Sequence, residues 1–183
     1  MNDRVEEAPG YCRECAGTLE WRLPAGDDHR RRICAACGRI DYRQPKLGAG
    51  VVLVRDGCLL MTRRSIEPYR GLWCLPAGFV EENEGTATCA AREAREETGF
   101  EVAVDRVFNV YDYTDDPRGR GTLILYEARI LGGEAVAGDD AAELSWMPIE
   151  SIDETSVAFK QHRRAIRELR ARRQGETTDA TRT

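Results

Sequence analysis

Hydrophobic and polar positions along the chain switch between a period of two and a period near 3.6, and each switch marks an element. Residues 47–54, LGAGVVLV, form an apolar run, followed by Arg55-Asp56-Gly57 and a second run, CLLMTRR. This pattern predicts a β-hairpin closed by a tight Asp-Gly turn, with Arg63 and Arg64 leaving it on opposite faces. SIEPYRGL reads as a loop, and WCLPAGF as a short strand broken at Pro76-Ala77-Gly78. A helical period then runs to Gly99, a residue suited to stopping a helix. FEVAVDRVFNVYDYT alternates as a strand, DDPRGRG is a polar turn, and TLILYEARIL is the next strand. A flexible loop, GGEAVAGDDAAE, precedes the strand LSWMPI. SIDETS opens a last helix, in which Phe159, His162, Ile166 and Leu169 recur at helical spacing. Its seven basic residues read by default as a solvated face. Ahead of all this, TLEWRL and HRRRIC are two short strands joined by a PAGDD turn, and 41–46 is a linker. The ends, 1–10 and 174–183, are polar tails predicted to be disordered.

Composition narrows the class. The 183 residues, 42% hydrophobic and 32% charged, suffice for one ordinary globular domain plus a small appendage. A net charge of −5 disfavours bulk attraction to nucleic acid or anionic membranes. No apolar run approaches the roughly 20 residues of a membrane span, and the first ten residues lack a signal-peptide pattern. Seven cysteines are an odd number, which points to a reducing, cytoplasmic setting more than to a disulfide framework. Four of them form Cys12-x-x-Cys15 and Cys34-x-x-Cys37, the spacing of a four-cysteine zinc site, with Gly17 and Gly38 placed for tight knuckle turns. Residues 11–45 therefore read as a zinc ribbon, too short to bury a core and dependent on Zn²⁺ for its folding energy. The basic run His29-Arg30-Arg31-Arg32 and nearby aromatics raise nucleic-acid binding as a rival role. Residues 1–46 balance nine Arg or Lys against eight Asp or Glu, so a solvated strand face fits better.

The densest chemistry lies in 78–100, GFVEENEGTATCAAREAREETGF. On a helix, Glu93, Glu96 and Glu97 stand at roughly 0, −60 and +40 degrees, on one face. Like charges at that spacing repel, so the helix itself gains nothing from them. Ala87, Ala91, Ala94 and Thr98 supply a small-residue face that can lie close to a sheet. A carboxylate face suits a hard divalent cation.

The nine positions Gly78, Glu84, Arg92, Glu93, Ala94, Glu96, Glu97, Gly99 and Phe100 resemble the Nudix box of the Nudix hydrolases at every defining position. The order of elements gives an α+β or mixed α/β domain. The resemblance implies an α/β/α sandwich with a curved mixed sheet over 46–173. It further implies that Glu93, Glu96 and Glu97 hold Mg²⁺ (or Mn²⁺), with a backbone carbonyl from Ala77-Gly78. Glu84 and Arg92 become a supporting ion pair, and the general base is Glu93 or a later loop acid, for which Glu143 is the candidate. Arg64 is placed to face a diphosphate, and Phe79 and Tyr111 (with Trp73 and Tyr113) to stack on a base.

The expected reaction is cleavage of a nucleoside diphosphate linked to a second moiety, ADP-ribose or FAD first, releasing AMP. The stretch RRSIEPYRGLWCLPAGFVEENE is similar to the segment ahead of the box in such pyrophosphatases, and Pro117 stands 17 positions after Phe100. NADH and NAD-capped RNA rank lower, because the Ser-Gln-Pro-Trp array of NADH pyrophosphatases is absent; coenzyme A stays open. The alternative of another class is a nucleotide-sensing regulator that binds nucleic acid or protein through its ribbon. By analogy with the family, a homodimer is expected.

Overall fold

The computed structural model of the chain describes residues 10–180, apart from the side chains of Asp115 and of 176–180. Two compact units part between Gln44 and Pro45.

In the first unit, strands β1 (Leu19–Arg22), β2 (Arg31–Cys34) and β3 (Ile40–Asp41) form an antiparallel sheet in that order. β3 takes up the start of the segment expected as linker, since Ile40 and Asp41 pair with Ile33 and Arg32. Among its described residues the buried apolar ones are Cys12, Leu19 and Cys34, far too few to hold a fold. Gly10 is anchored by its carbonyl, which accepts from the Leu19 N–H at 2.8 Å. The rest of the expected N-terminal tail lies outside the described residues.

The second unit contains two four-stranded sheets. β4 (Lys46–Val52) runs parallel to β10 (Gly119–Gly133) and antiparallel to β8 (Ala77–Phe79). β9 (Phe100–Asp116) pairs antiparallel with β10, giving the mixed order β8-β4-β10-β9. The other sheet places β6 (Cys58–Arg64) between β11 (Ala141–Pro148) and β5 (Val54–Arg55), with β7 (Trp73–Cys74) also on β6. The hairpin read from the sequence is thus only its tip. Asp56 and Gly57 form the turn, both with positive φ (49° and 75°), as a hairpin's twist requires. At Leu53 the chain leaves β4, so β4 lies in one sheet and β5 in the other. The next stretch does the same: Leu75 and Pro76 carry the chain from β7 back to β8. Pro76, with no N–H to donate, suits this gap between ladders.

Helix α1 (Thr86–Thr98) ends at Gly99 (φ 73°), whose N–H bonds the Arg95 carbonyl. Its buried stripe is Cys89, Ala90, Glu93, Ala94, Glu97 and Thr98. The stripe expected from small residues was therefore rotated: Ala87 is exposed and Ala91 half-buried. Cys89, Ala90 and Ala94 pack with Ala49, Val51, Leu53 and Leu60, which turns Glu93 and Glu97 inward with them.

Helix α2 (Lys160–Ala180) covers the other core, where Ala165 and Ile166 meet Val52, Phe108, Tyr111, Leu123 and Leu125. It continues to Ala180 through most of the expected C-terminal tail. Gly175 is its one strong helix breaker there and costs only about 1 kcal/mol; residues 181–183 are outside the description. The arginines of α2 are structural clamps more than a solvated face. Arg170 donates to the Ile149 and Ile152 carbonyls, Arg163 to Val157, and Arg172 to Phe108.

His162 is buried, and its Nδ1 accepts the Leu75 N–H at 3.0 Å, securing the second crossing between sheets. Burial, then the neighbouring Arg64 and Arg118, pushes its pKa down to about 3. The unfolded chain protonates this group near pH 6.5 and the folded one only near pH 3, so stability falls as pH drops through that window. Replacing His162→Leu orphans a buried N–H and should cost about 1–3 kcal/mol in urea unfolding at pH 7, while flattening the acid limb. An unchanged midpoint would remove His162 from this role.

Candidate active site

Strand β8 and helix α1 build the site between them. Gly78 lies so close to Glu93 that a Cβ there would meet the Glu93 carboxylate at 2.1 Å. Any side chain there would have to push that carboxylate aside. One turn along, the Glu97 carboxylate accepts the Ala77 N–H and the Thr62 hydroxyl, the latter at 3.3 Å. Glu93 and Glu97 are buried, whereas Glu96 is exposed.

Arg92 neutralises this acidic face. Its Nε and Nη2 grip both Glu84 oxygens at 3.1 and 2.7 Å, and its Nη1 reaches Glu93 at 2.7 Å and Glu96 at 2.8 Å. Nη2 also donates to the Phe79 carbonyl at 3.1 Å, tying helix, loop and strand together. Arg92, followed by the Glu81 N–H, holds Glu84 down to about 2. Glu93 goes the other way: burial raises its pKa, Arg92 opposes this, and Glu96 and Asp139 add to the rise. Glu97 is pushed up to about 8, first by burial and then by Glu93, against the pull of Thr62, Ala77 and Arg64. Two inward carboxylates with raised pKa values form a site with more negative than positive charge, which suits a divalent cation.

The structure separates the remaining candidates. Arg64 is buried, its Nε donating to the Pro68 carbonyl at 2.7 Å, while Arg63 points outward and bonds Glu143 at 3.2 Å. Glu143 is thus half-exposed on β11 with a cationic partner. Phe79 is half-buried beneath Lys46 and Arg118, each about 5 Å from its ring. Tyr111 is in the core, 2% exposed, and its hydroxyl donates to Glu168, so its ring is not available for stacking on a ligand. Sequence reading missed Thr62, Asp116, Arg118 and Phe159. Thr62 carried a signal, being two positions before Arg64 on one strand face. Arg118 and Phe159 carried none.

In the ribbon, the Cys12, Cys15, Cys34 and Cys37 sulfurs all lie within 4.8 Å of one another. Cys12–Cys37 is 3.7 Å and Cys15–Cys34 3.4 Å, near the roughly 3.8 Å edge of a tetrahedron with 2.3 Å Zn–S bonds. The Cys37 and Ala36 N–H groups lower the Cys34 thiol to about 6, favouring the thiolate that binds metal. The first knuckle turns on Ala16 (φ 57°), and Gly17 is needed for space: a Cβ there would strike Ala36 and Cys34. A cavity of about 560 Å³ in this unit, lined by Tyr11, Arg32, Asp41 and Tyr42, contains none of the buried carboxylates.

The mixed sheet and its loop-helix acids are those of a Nudix hydrolase, and comparison with known proteins bears this out. Residues 44–169 match the NUDIX domain family and residues 10–43 the zinc-ribbon family described as Nudix N-terminal. The chain belongs to the Nudix family. An ADP-ribose pyrophosphatase of Methanocaldococcus jannaschii is 33% identical over 69% of this chain and 74% of its own length. An NAD-capped RNA hydrolase of Pseudomonas aeruginosa is 30% identical over 90% of this chain; the match spans 57% of that longer relative. A solved NUDIX hydrolase from Nitrosomonas europaea superposes with a TM-score of 0.76 at 32% identity, covering 86% of this chain and 88% of the other.

Two outcomes follow. Without divalent cation, Glu97 favours its protonated form in the folded state, so stability is fully present below the unfolded pKa near 4.5 and is lost as pH rises through 8. Glu97→Gln should remove most of that decline and raise Tm at pH 8.5 by about 3–5 °C; a decline of unchanged size in the variant would reassign its source. In the ribbon, Cys34→Ser should reduce bound zinc from about one per chain to a small fraction and make residues 11–43 protease-sensitive. Retained zinc would place the metal elsewhere.

Proposed function

We propose that this protein hydrolyses the diphosphate of a nucleoside diphosphate linked to a second moiety, with ADP-ribose first and FAD second, releasing AMP. The observation that carries the reading is the pairing of buried Glu93 and Glu97 against the Ala77-Gly78 turn, with Arg92 fixing both helix and loop. The 33% identity to an ADP-ribose pyrophosphatase supports the substrate order.

In this reading Glu93 and Glu97 hold Mg²⁺ or Mn²⁺, with Glu96 and a backbone carbonyl of Ala77 or Gly78 as further ligands. When bound, the cation draws charge from the phosphate oxygens and acidifies a coordinated water. Glu84 keeps Arg92 in place, and Arg92 keeps the carboxylates from splaying apart. Glu93, held by Arg92 beside the cation's place, accepts the proton of the attacking water. Glu143, engaged with Arg63, is assigned to structure instead. Thr62 and the Ala77 N–H orient Glu97. Arg64 faces the diphosphate. The four cysteines hold Zn²⁺, which folds the ribbon.

A second reading has one specific support: the NAD-capped RNA hydrolase aligns over 90% of this chain. A panel of ADP-ribose, FAD, NADH, coenzyme A, NAD-capped RNA and 8-oxo-dGTP with Mg²⁺ separates these substrates by chromatography of released nucleotide. The expected leader is ADP-ribose. No release from any of them would end the enzymatic reading. Glu97→Gln should lower turnover at least about a hundredfold with the far-ultraviolet dichroism unchanged; near-normal turnover would show that the metal site has been misplaced.

A further inference from the structure

On β6, Thr62 and Arg64 share one face, and Thr62 touches Glu97. A strand rise of about 3.3 Å per residue puts Arg64 roughly 6.6 Å further along. Arg64 is 6% exposed, and its Nη2 is buried without a partner among the described residues. A buried guanidinium N–H left unbonded is costly, and a ligand oxygen would satisfy it.

The neighbourhood is cationic and aromatic. Arg64 stands 5.1 Å from the Phe159 ring, and Arg118 stands 5.1 Å from the same ring and 5.0 Å from Phe79. Lys46 Nζ lies 4.7 Å from Phe79. The matching carboxylate is Asp116, with its side chain 2% exposed, which accepts from Arg118 Nε at 3.0 Å and Nη2 at 2.9 Å. Arg118 and Lys46 thus act on Asp116, and Arg64 on Glu97, within a protein whose net charge is −5. Asp116 fixes one edge of the Arg118 guanidinium and leaves Nη1 for a ligand. The turn between β9 and β10 carries both residues, so it brings a charge to the site from an element outside the loop and helix of the carboxylates.

We propose that Arg118 is a specificity-determining residue that acts with Arg64 to hold the second phosphate of the substrate's diphosphate. This rests on the reading above and deepens it: the enzyme selects diphosphates that keep charge on both phosphates. Phe79 and Phe159 hold the Arg118 fork flat, and Asp116 orients it. A planar fork recognises phosphate oxygens two at a time, which a lysine at the same place cannot do.

The test uses the full zinc-loaded chain and imidodiphosphate, a diphosphate it cannot readily cleave, titrated calorimetrically in buffer without added Mg²⁺. Arg118→Gln should weaken binding at least about tenfold, and raise KM for the best substrate of the panel similarly while kcat stays within about threefold. Arg118→Lys should recover part of the affinity, and Arg129→Gln, on the exposed ion pair with Asp105, should change nothing. If Arg118→Gln does not fold, Arg118→Lys carries the comparison and should still bind at least about threefold more weakly than the parent. Equal binding by parent and Arg118 variants, or no binding by the parent at millimolar probe, overturns the proposal. Arg118-dependent probe binding with no hydrolysis of any panel member would leave the clamp standing and reject the substrate reading. Hydrolysis as proposed with KM indifferent to Arg118 would do the reverse.

Discussion

Burying two carboxylates from one helix is the constraint to which the rest of this fold answers. Glu93 and Glu97 face inward because Cys89, Ala90 and Ala94 share their stripe and have nowhere else to pack. Their repulsion and desolvation would expel them from a dry site. Arg92 offsets part of this from outside the stripe, and Gly78 offers a backbone with nothing in the way. What stays uncompensated is the affinity for protons left on Glu97.

The box helix, its ending at Gly99 and the cysteine knuckles were legible because each rests on local spacing. The rotation of α1 was not. Small residues lie on two sides of that helix, and only contact with Ala49, Val51 and Leu60 decides which side is buried. The hairpin misled for a related reason: an apolar run followed by Asp-Gly predicts the turn correctly, but no local signal at Leu53 says that the strand changes sheets. Tyr111 alternates as a strand residue whether it meets substrate or core, and its bond to Glu168, 57 positions away, settled the matter. Phe159, Arg118 and Arg64 converge from three distant segments, so their grouping is a property of the fold alone.

The two units are held together in different ways. In the ribbon, four sulfurs at tetrahedral spacing substitute for a core that three buried apolar residues cannot provide. In the larger unit, two full hydrophobic clusters hold the structure and the carboxylates are a local strain within it.

Leu53 and the Leu75-Pro76 step each carry the chain from one sheet to the other, and His162 fastens the second of them. Their effect is to divide mutational freedom unevenly. Any change to the crossings shifts both sheets at once, and with them every carboxylate. The β9–β10 turn belongs to one sheet only and can drift without moving the acids. Over generations of sequence change, such a frame would hold the reaction constant while its choice of substrate wandered.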